Sequence, residues 1–167
     1  MRPSIYLAGP ITAKTIKEAN DWRDDVIAKL AVRGIIGVSP LRCEPPRGER
    51  YTLSDADPKF GTARAIASKN VSDVRDCKLT LAYLPTVLND PWPSLGTICE
   101  LSWAHMLGKP TILVSDDRRI TEHPVINANA GWIVGTLDEA VEIIVGIYGV
   151  YVQDPLAALR ALRKRFA

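Results

Sequence analysis

Ser4-Ile5-Tyr6-Leu7-Ala8-Gly9-Pro10 is the stretch on which the fold turns. A short apolar run stops at a Gly-Pro pair, which reads as a buried strand ending in a turn. A helical pattern follows, with Ile16, Ala19, Trp22, Val26, Ile27 and Leu30 at spacings of three and four. Gly34 lies where a helix stop belongs. Ile35–Val38 is a second apolar run, closed by Pro40. Strand, helix and strand in this order form a βαβ unit.

The alternation continues outward. Thr62–Asp76 reads as a helix, with Ala63, Ile66, Val71 and Val74 as partial apolar spacing. Leu79–Leu84 is a third strand, ended by Pro85, and Val87–Leu95 is a Pro-rich loop. Thr97–Leu107 is a helix closed by Gly108, and Pro110–Val114 a fourth strand. Trp132–Val134 is a fifth, followed by a helix over Leu137–Tyr148. A last amphipathic helix runs from Pro155 to Phe166. The expected fold is α/β: a flavodoxin-like, doubly wound, five-stranded parallel sheet in three α/β/α layers, order 2-1-3-4-5. Residues 1–150 form the domain, and 151–167 a helix packing on it or on a partner. Ligands of such folds bind beyond the carboxyl ends of the strands, at the switch point between strands 1 and 3.

With 167 residues the chain makes one domain with a real core. It is 47% hydrophobic and 24% charged, ordinary for a globular protein. Its 21 Lys and Arg against 19 Asp and Glu leave a net charge of +2, too balanced for a nucleic-acid binder. No apolar run reaches the roughly 18 residues of a membrane helix, and no signal-peptide core precedes the first strand. Cys43, Cys77 and Cys99 are widely spaced, without a CxxC pair, and the histidines are His105 and His123. Neither a closed zinc site nor a disulfide framework is expected, which fits a reduced, cytoplasmic chain.

The segment Pro93-Ser94-Leu95-Gly96-Thr97-Ile98-Cys99-Glu100-Leu101 carries the chemistry. Thr97-x-x-Glu100 has the form of a capping box, as does Thr136-x-x-Glu139. The functional reading puts Glu100 in the first turn of a helix at the ligand edge, its carboxylate stabilised by the helix dipole. An oriented, ionised carboxylate can attack an electrophilic anomeric carbon. Gly96, just before it, allows close approach to the backbone.

Ile5-Tyr6-Leu7-Ala8-Gly9-Pro10, the Ser-Leu-Gly-Thr-x-x-Glu-Leu segment and the trailing Gly-Lys-Pro together resemble the nucleoside 2-deoxyribosyltransferase family, which includes related nucleotide N-glycosidases. The resemblance spans roughly residues 4 to 145. It implies a double displacement in which Glu100 attacks C1′ of a nucleoside, forms a glycosyl-enzyme, and is released by a second base or by water. It implies that the Tyr6 hydroxyl orients Glu100, and that Gly9 and Pro10 floor the sugar pocket. Asn70 and Lys78 stand where the family has Asp; Asp73, one helical turn beyond Asn70, can supply a carboxylate or lie on a solvated face beside Lys69 and Arg75. Ser94 stands where transferases carry Asp and where the N-glycosidases use Ser on a 5′-phosphate; Asp90 is the alternative carboxylate there, and a plain turn residue the alternative for Ser94. Trp92 is the stacking candidate for a base, while Trp22 and Trp132 fit core periodicity. His123 either contacts a neighbouring subunit's substrate or is an ordinary loop residue. Arg42, Arg47 and Arg50 of the Leu41–Gly61 loop either grip a phosphate or face solvent. No metal or organic cofactor is implied. The expected partners are a nucleoside or nucleotide, a free nucleobase and further copies of the chain in a homo-oligomer, with no nucleic acid and no membrane. A non-catalytic nucleotide-binding module is the competing function.

Overall fold

The computed structural model describes residues 2–42, 49–51, 61–86 and 92–165, with side chains up to residue 160. Cys43, Arg47, Asp90 and the side chains of Leu162 and Phe166 lie outside the described residues.

The chain alternates strands and helices from its first element. β1 (Ser4–Ala8), α1 (Ile16–Val32), β2 (Ile36–Val38), α2 (Ala63–Asp76) and β3 (Leu79–Tyr83) make the first half. α3 (Leu95–Met106), β4 (Thr111–Val114), α4 (Arg118–Thr121), α5 (Pro124–Asn129), β5 (Trp132–Val134), α6 (Leu137–Tyr148) and α7 (Pro155–Arg165) make the second. The five strands are all parallel and lie in the order β2-β1-β3-β4-β5, the winding expected from the sequence. α7 lies against α1 of the same chain.

The two faces of the sheet carry separate cores. Successive side chains of a strand point to opposite faces. Ile5 and Leu7 therefore join Val26 and Leu30 of α1 and Ala140 and Ile144 of α6. Tyr6 and Ala8 join Val74 of α2 and Leu101 and Ala104 of α3 on the other face. Both faces are buried, so β1, β3 and β4 are mostly apolar and buried along their length. This parity puts Tyr6 on the layer that α2 and α3 cover.

Local signals explain the helix ends. Thr15 and Thr136 close capping boxes with Glu18 and Glu139. Gly34 and Gly108, at φ of +75° and +66°, end α1 and α3. α3 departs from the sequence reading. Its N-cap is Ser94, whose side chain accepts from the Thr97 N–H, so Thr97 is not a cap and Thr97-x-x-Glu100 is not a capping box. The Ser94 hydroxyl, two residues before the glycine, captures the helix start first. Two elements escape the periodicity altogether: α4 and α5 have four and six residues, too short to show a 3.6-residue period, and are marked only by their caps Asp117 and His123. Trp132, read as core, is 40% exposed on the edge strand. Among the described residues no helix is long and apolar enough to cross a membrane.

β2 packs so tightly on α1 that a Cβ at Gly37 would stand 2.6 Å from Ile27 Cγ1 and 3.3 Å from its backbone Cα. Gly37→Ala is expected to destabilise the fold by about 1–3 kcal/mol, read as a lower urea midpoint at unchanged slope.

Candidate active site

The cavity opens beyond the carboxyl ends of β1 and β3, where the chain leaves β1 for α1 and β3 for α3. It holds about 450 Å³. Gly9 and Pro10 of the turn after β1 form one wall, Leu84 and Pro85 after β3 another, and the start of α3 a third. Gly9 has to be glycine, since a Cβ there would meet Trp22 Cζ2 at 2.5 Å and Arg23 Nη2 at 3.2 Å.

Glu100 projects into this cavity yet is only 5% exposed. Because α3 begins at Leu95, Glu100 sits in its second turn rather than the first. That places it beyond the orphan N–H groups that carry the helix's positive end. The dipole therefore does not govern the carboxylate; neighbouring side chains do. The Tyr6 hydroxyl donates to Glu100 Oε1 at 2.7 Å, and the Asn70 amide donates to the same oxygen at 2.8 Å. Among the described residues nothing donates to Oε2.

Burial pushes the Glu100 carboxyl up from 4.5 to about 7. The hydrogen bonds from Tyr6 and Asn70 and the positive charges of Arg23 and Lys69 oppose that rise. Tyr6 itself is fully buried, and burial with the adjacent Glu100 charge drives its phenol well above the ordinary tyrosine range. It remains a donor at every relevant pH.

The other expected residues distribute as follows. Ser94, Gly96 and Trp92 line the cavity. Ser94 Oγ and the Thr97 hydroxyl are hydrogen-bonded at 2.9 Å. Gly96 faces open space, and Trp92 is 73% exposed at the rim. Asp73 does not line the cavity. Arg42 grips both of its oxygens, at 2.6 and 2.7 Å, and Lys69 lies 3.6 Å away. His123 caps α5 and is exposed outside the cavity lining. Arg50 donates to the Ala13 carbonyl at 2.7 Å. Among the described residues no group of three His, Cys, Asp or Glu side chains converges as a metal site would require.

Several residues here had no site role in the sequence reading. Lys14, Tyr51, Ile66 and the Asp117–Arg119 ion pair line the cavity. Arg23 lies beneath it, donating to the Leu7 and Gly9 carbonyls at 3.2 and 2.8 Å. Arg23 did leave a readable signal: it falls on the buried stripe Ala19, Arg23, Val26, Leu30 of α1.

The nucleoside 2-deoxyribosyltransferase family model matches residues 5–152. The chain belongs to that family. No curated protein sequence matches this family member. Among solved structures it is similar to a 2-desoxiribosyltransferase from Leishmania mexicana, at 20% identity and TM-score 0.58, over 86% of this chain and 97% of that one. It is similar to the CMP N-glycosidase BcmB of Clostridium botulinum, at 20% identity and TM-score 0.52, over 86% and 98%. A molybdenum cofactor binding protein from Rippkaea orientalis has the same fold at 17% identity and TM-score 0.53, over 88% and 98%. At these identities the likeness is one of fold.

The raised carboxyl of this deoxyribosyltransferase-family chain links its site to its stability. Between pH 4.5 and 7 the folded chain keeps a Glu100 proton that the unfolded chain has lost. Stability from this group is therefore full below pH 4.5 and is lost as pH rises through 7. Glu100→Gln removes the loss. The variant is expected to gain on the wild type by at most roughly 3 kcal/mol between pH 4.5 and pH 8, measured by urea unfolding at both.

Proposed function

We propose that this chain cleaves the N-glycosidic bond of a nucleoside through a covalent glycosyl-Glu100 intermediate and transfers the 2-deoxyribosyl group to another nucleobase. One observation carries the reading: both hydrogen bonds to the Glu100 carboxylate converge on Oε1, which orients the group and leaves Oε2 as the nucleophile. Attack forms the Oε2–C1′ bond as the C1′–N bond breaks. The departing nitrogen takes the bond pair and a proton from the solvent. Return of a different base re-forms a C1′–N bond and frees the carboxylate; entry of water instead releases the sugar. Gly9 and Pro10 would bound the sugar, and Trp92 would stack on the base at the rim.

The hydrolytic outcome, on a 5′-monophosphate, has its own support in the Ser94 hydroxyl that lines the cavity. The binding-module reading rests on Asn70, an amide where the family carries a carboxylate, and on a Glu100 that is only partly ionised at neutral pH.

Incubation with a 2′-deoxynucleoside, with and without a second free base, separates the three. Base exchange is expected. Sugar release without exchange marks a hydrolase, and no turnover of deoxynucleosides or 5′-monophosphates leaves the binding module. Glu100→Gln is expected to lower turnover by about a thousandfold or more. Tyr6→Phe removes a donor that favours the ionised carboxylate. It is expected to move the acid limb of kcat/KM upward from about 7; an unmoved limb rejects Glu100 as the ionising nucleophile.

A further inference from the structure

Arg23 is fully buried, and a guanidinium cannot shed its charge there at neutral pH: burial pushes it down only to about 10. A buried charge is costly unless something compensates it. Among the described residues no carboxylate forms an ion pair with Arg23. Its N–H groups go to backbone carbonyls, of Leu7 at 3.2 Å, of Gly9 at 2.8 Å and of Ala19. Its Cζ lies over the Trp22 ring, 4.4 Å from the centroid. These are partial charges only. Gly9, whose carbonyl it holds, lines the same cavity as Glu100, and Leu7, whose carbonyl it also holds, follows Tyr6, the donor to Glu100.

Glu100 is in the mirror situation. Its two donors, Tyr6 and Asn70, are neutral. On α2, Lys69 pairs with Asp73, which Arg42 also holds. After β4, Arg119 is spent on Asp117. Lys14 at the cavity wall is partly exposed, where water screens it. Arg23 is thus the buried cation not committed to a carboxylate of its own among the described groups around Glu100.

We propose that Arg23 is the positioning residue of this site: its guanidinium ties the Leu7–Gly9 backbone beneath the cavity and stands as the buried counter-charge of Glu100. Gly9 belongs to the device, because any larger residue would push against Trp22 and Arg23. The catalytic consequence rests on Glu100 being the nucleophile; the pairing itself does not.

The test titrates Glu100 without substrate. Its protonation step is read from the pH dependence of urea stability, with Glu100→Gln as the blank. In Arg23→Met the step is expected to move up by about one pH unit, so that kcat/KM at pH 6 falls about tenfold. Arg23→Lys keeps the charge and is expected to restore the step to near its wild-type position, which a role in packing alone would not do. A folded Arg23→Met with an unmoved step overturns the proposal. Should that variant fail to fold, the wild-type chain decides. The Arg23 Nε–H resonance in a nitrogen-15 spectrum is expected to shift with the Glu100 step and to stop doing so in Glu100→Gln. A resonance that ignores the step overturns the proposal. Absence of nucleoside cleavage by the wild type would end the proposed reaction and leave the pairing to these titrations.

Discussion

The structure is organised around one buried carboxylate. Glu100 lies in the apolar layer between the sheet and α2–α3, where an ionised group survives only if donors and a positive field replace water. Three separate elements meet that demand. The two-residue alternation of β1 turns Tyr6 towards α3, α2 brings Asn70 to the same oxygen, and α1 carries Arg23 to the end of β1. The parallel order β2-β1-β3 is what lets these elements converge, since it puts β1 and β3 side by side and opens the cavity at their carboxyl ends.

Two carboxylates near the cavity are each held by an arginine. Arg42 with Asp73 and Arg119 with Asp117 each neutralise locally. The carboxylate in the cavity wall is therefore tuned mainly by burial and its own few contacts, and its raised titration follows. Such a group costs stability: the folded chain bears the cost of ionising it as pH rises through about 7.

The strand order and the Gly9-Pro10 stop were legible in the sequence because they rest on local pattern, while Tyr6 and Glu100 were singled out through the family resemblance. The apolar runs, their Gly and Pro stops and the three-and-four spacings are read within a few residues. The start of α3 was not, because Ser94 and Thr97 are both good caps and only the folded helix shows which hydroxyl accepts the N–H. That shift of three residues moved Glu100 out of reach of the helix dipole and handed its control to side-chain contacts. Asp73 shows the same limit. Helical spacing put it on Asn70's face, but the arginine that claims it comes from the loop after β2.

By itself the sequence determined the five strands, the longer helices and their winding, because periodicity and turn chemistry are local. The tertiary structure alone decided that Glu100 is buried, that its two hydrogen bonds share one oxygen, and that a buried arginine from α1 holds the Leu7 and Gly9 carbonyls beside the cavity. Those facts depend on contacts between residues as far apart in the chain as Tyr6 and Glu100, and on how completely packing excludes water. Neither is written in any short stretch of residues.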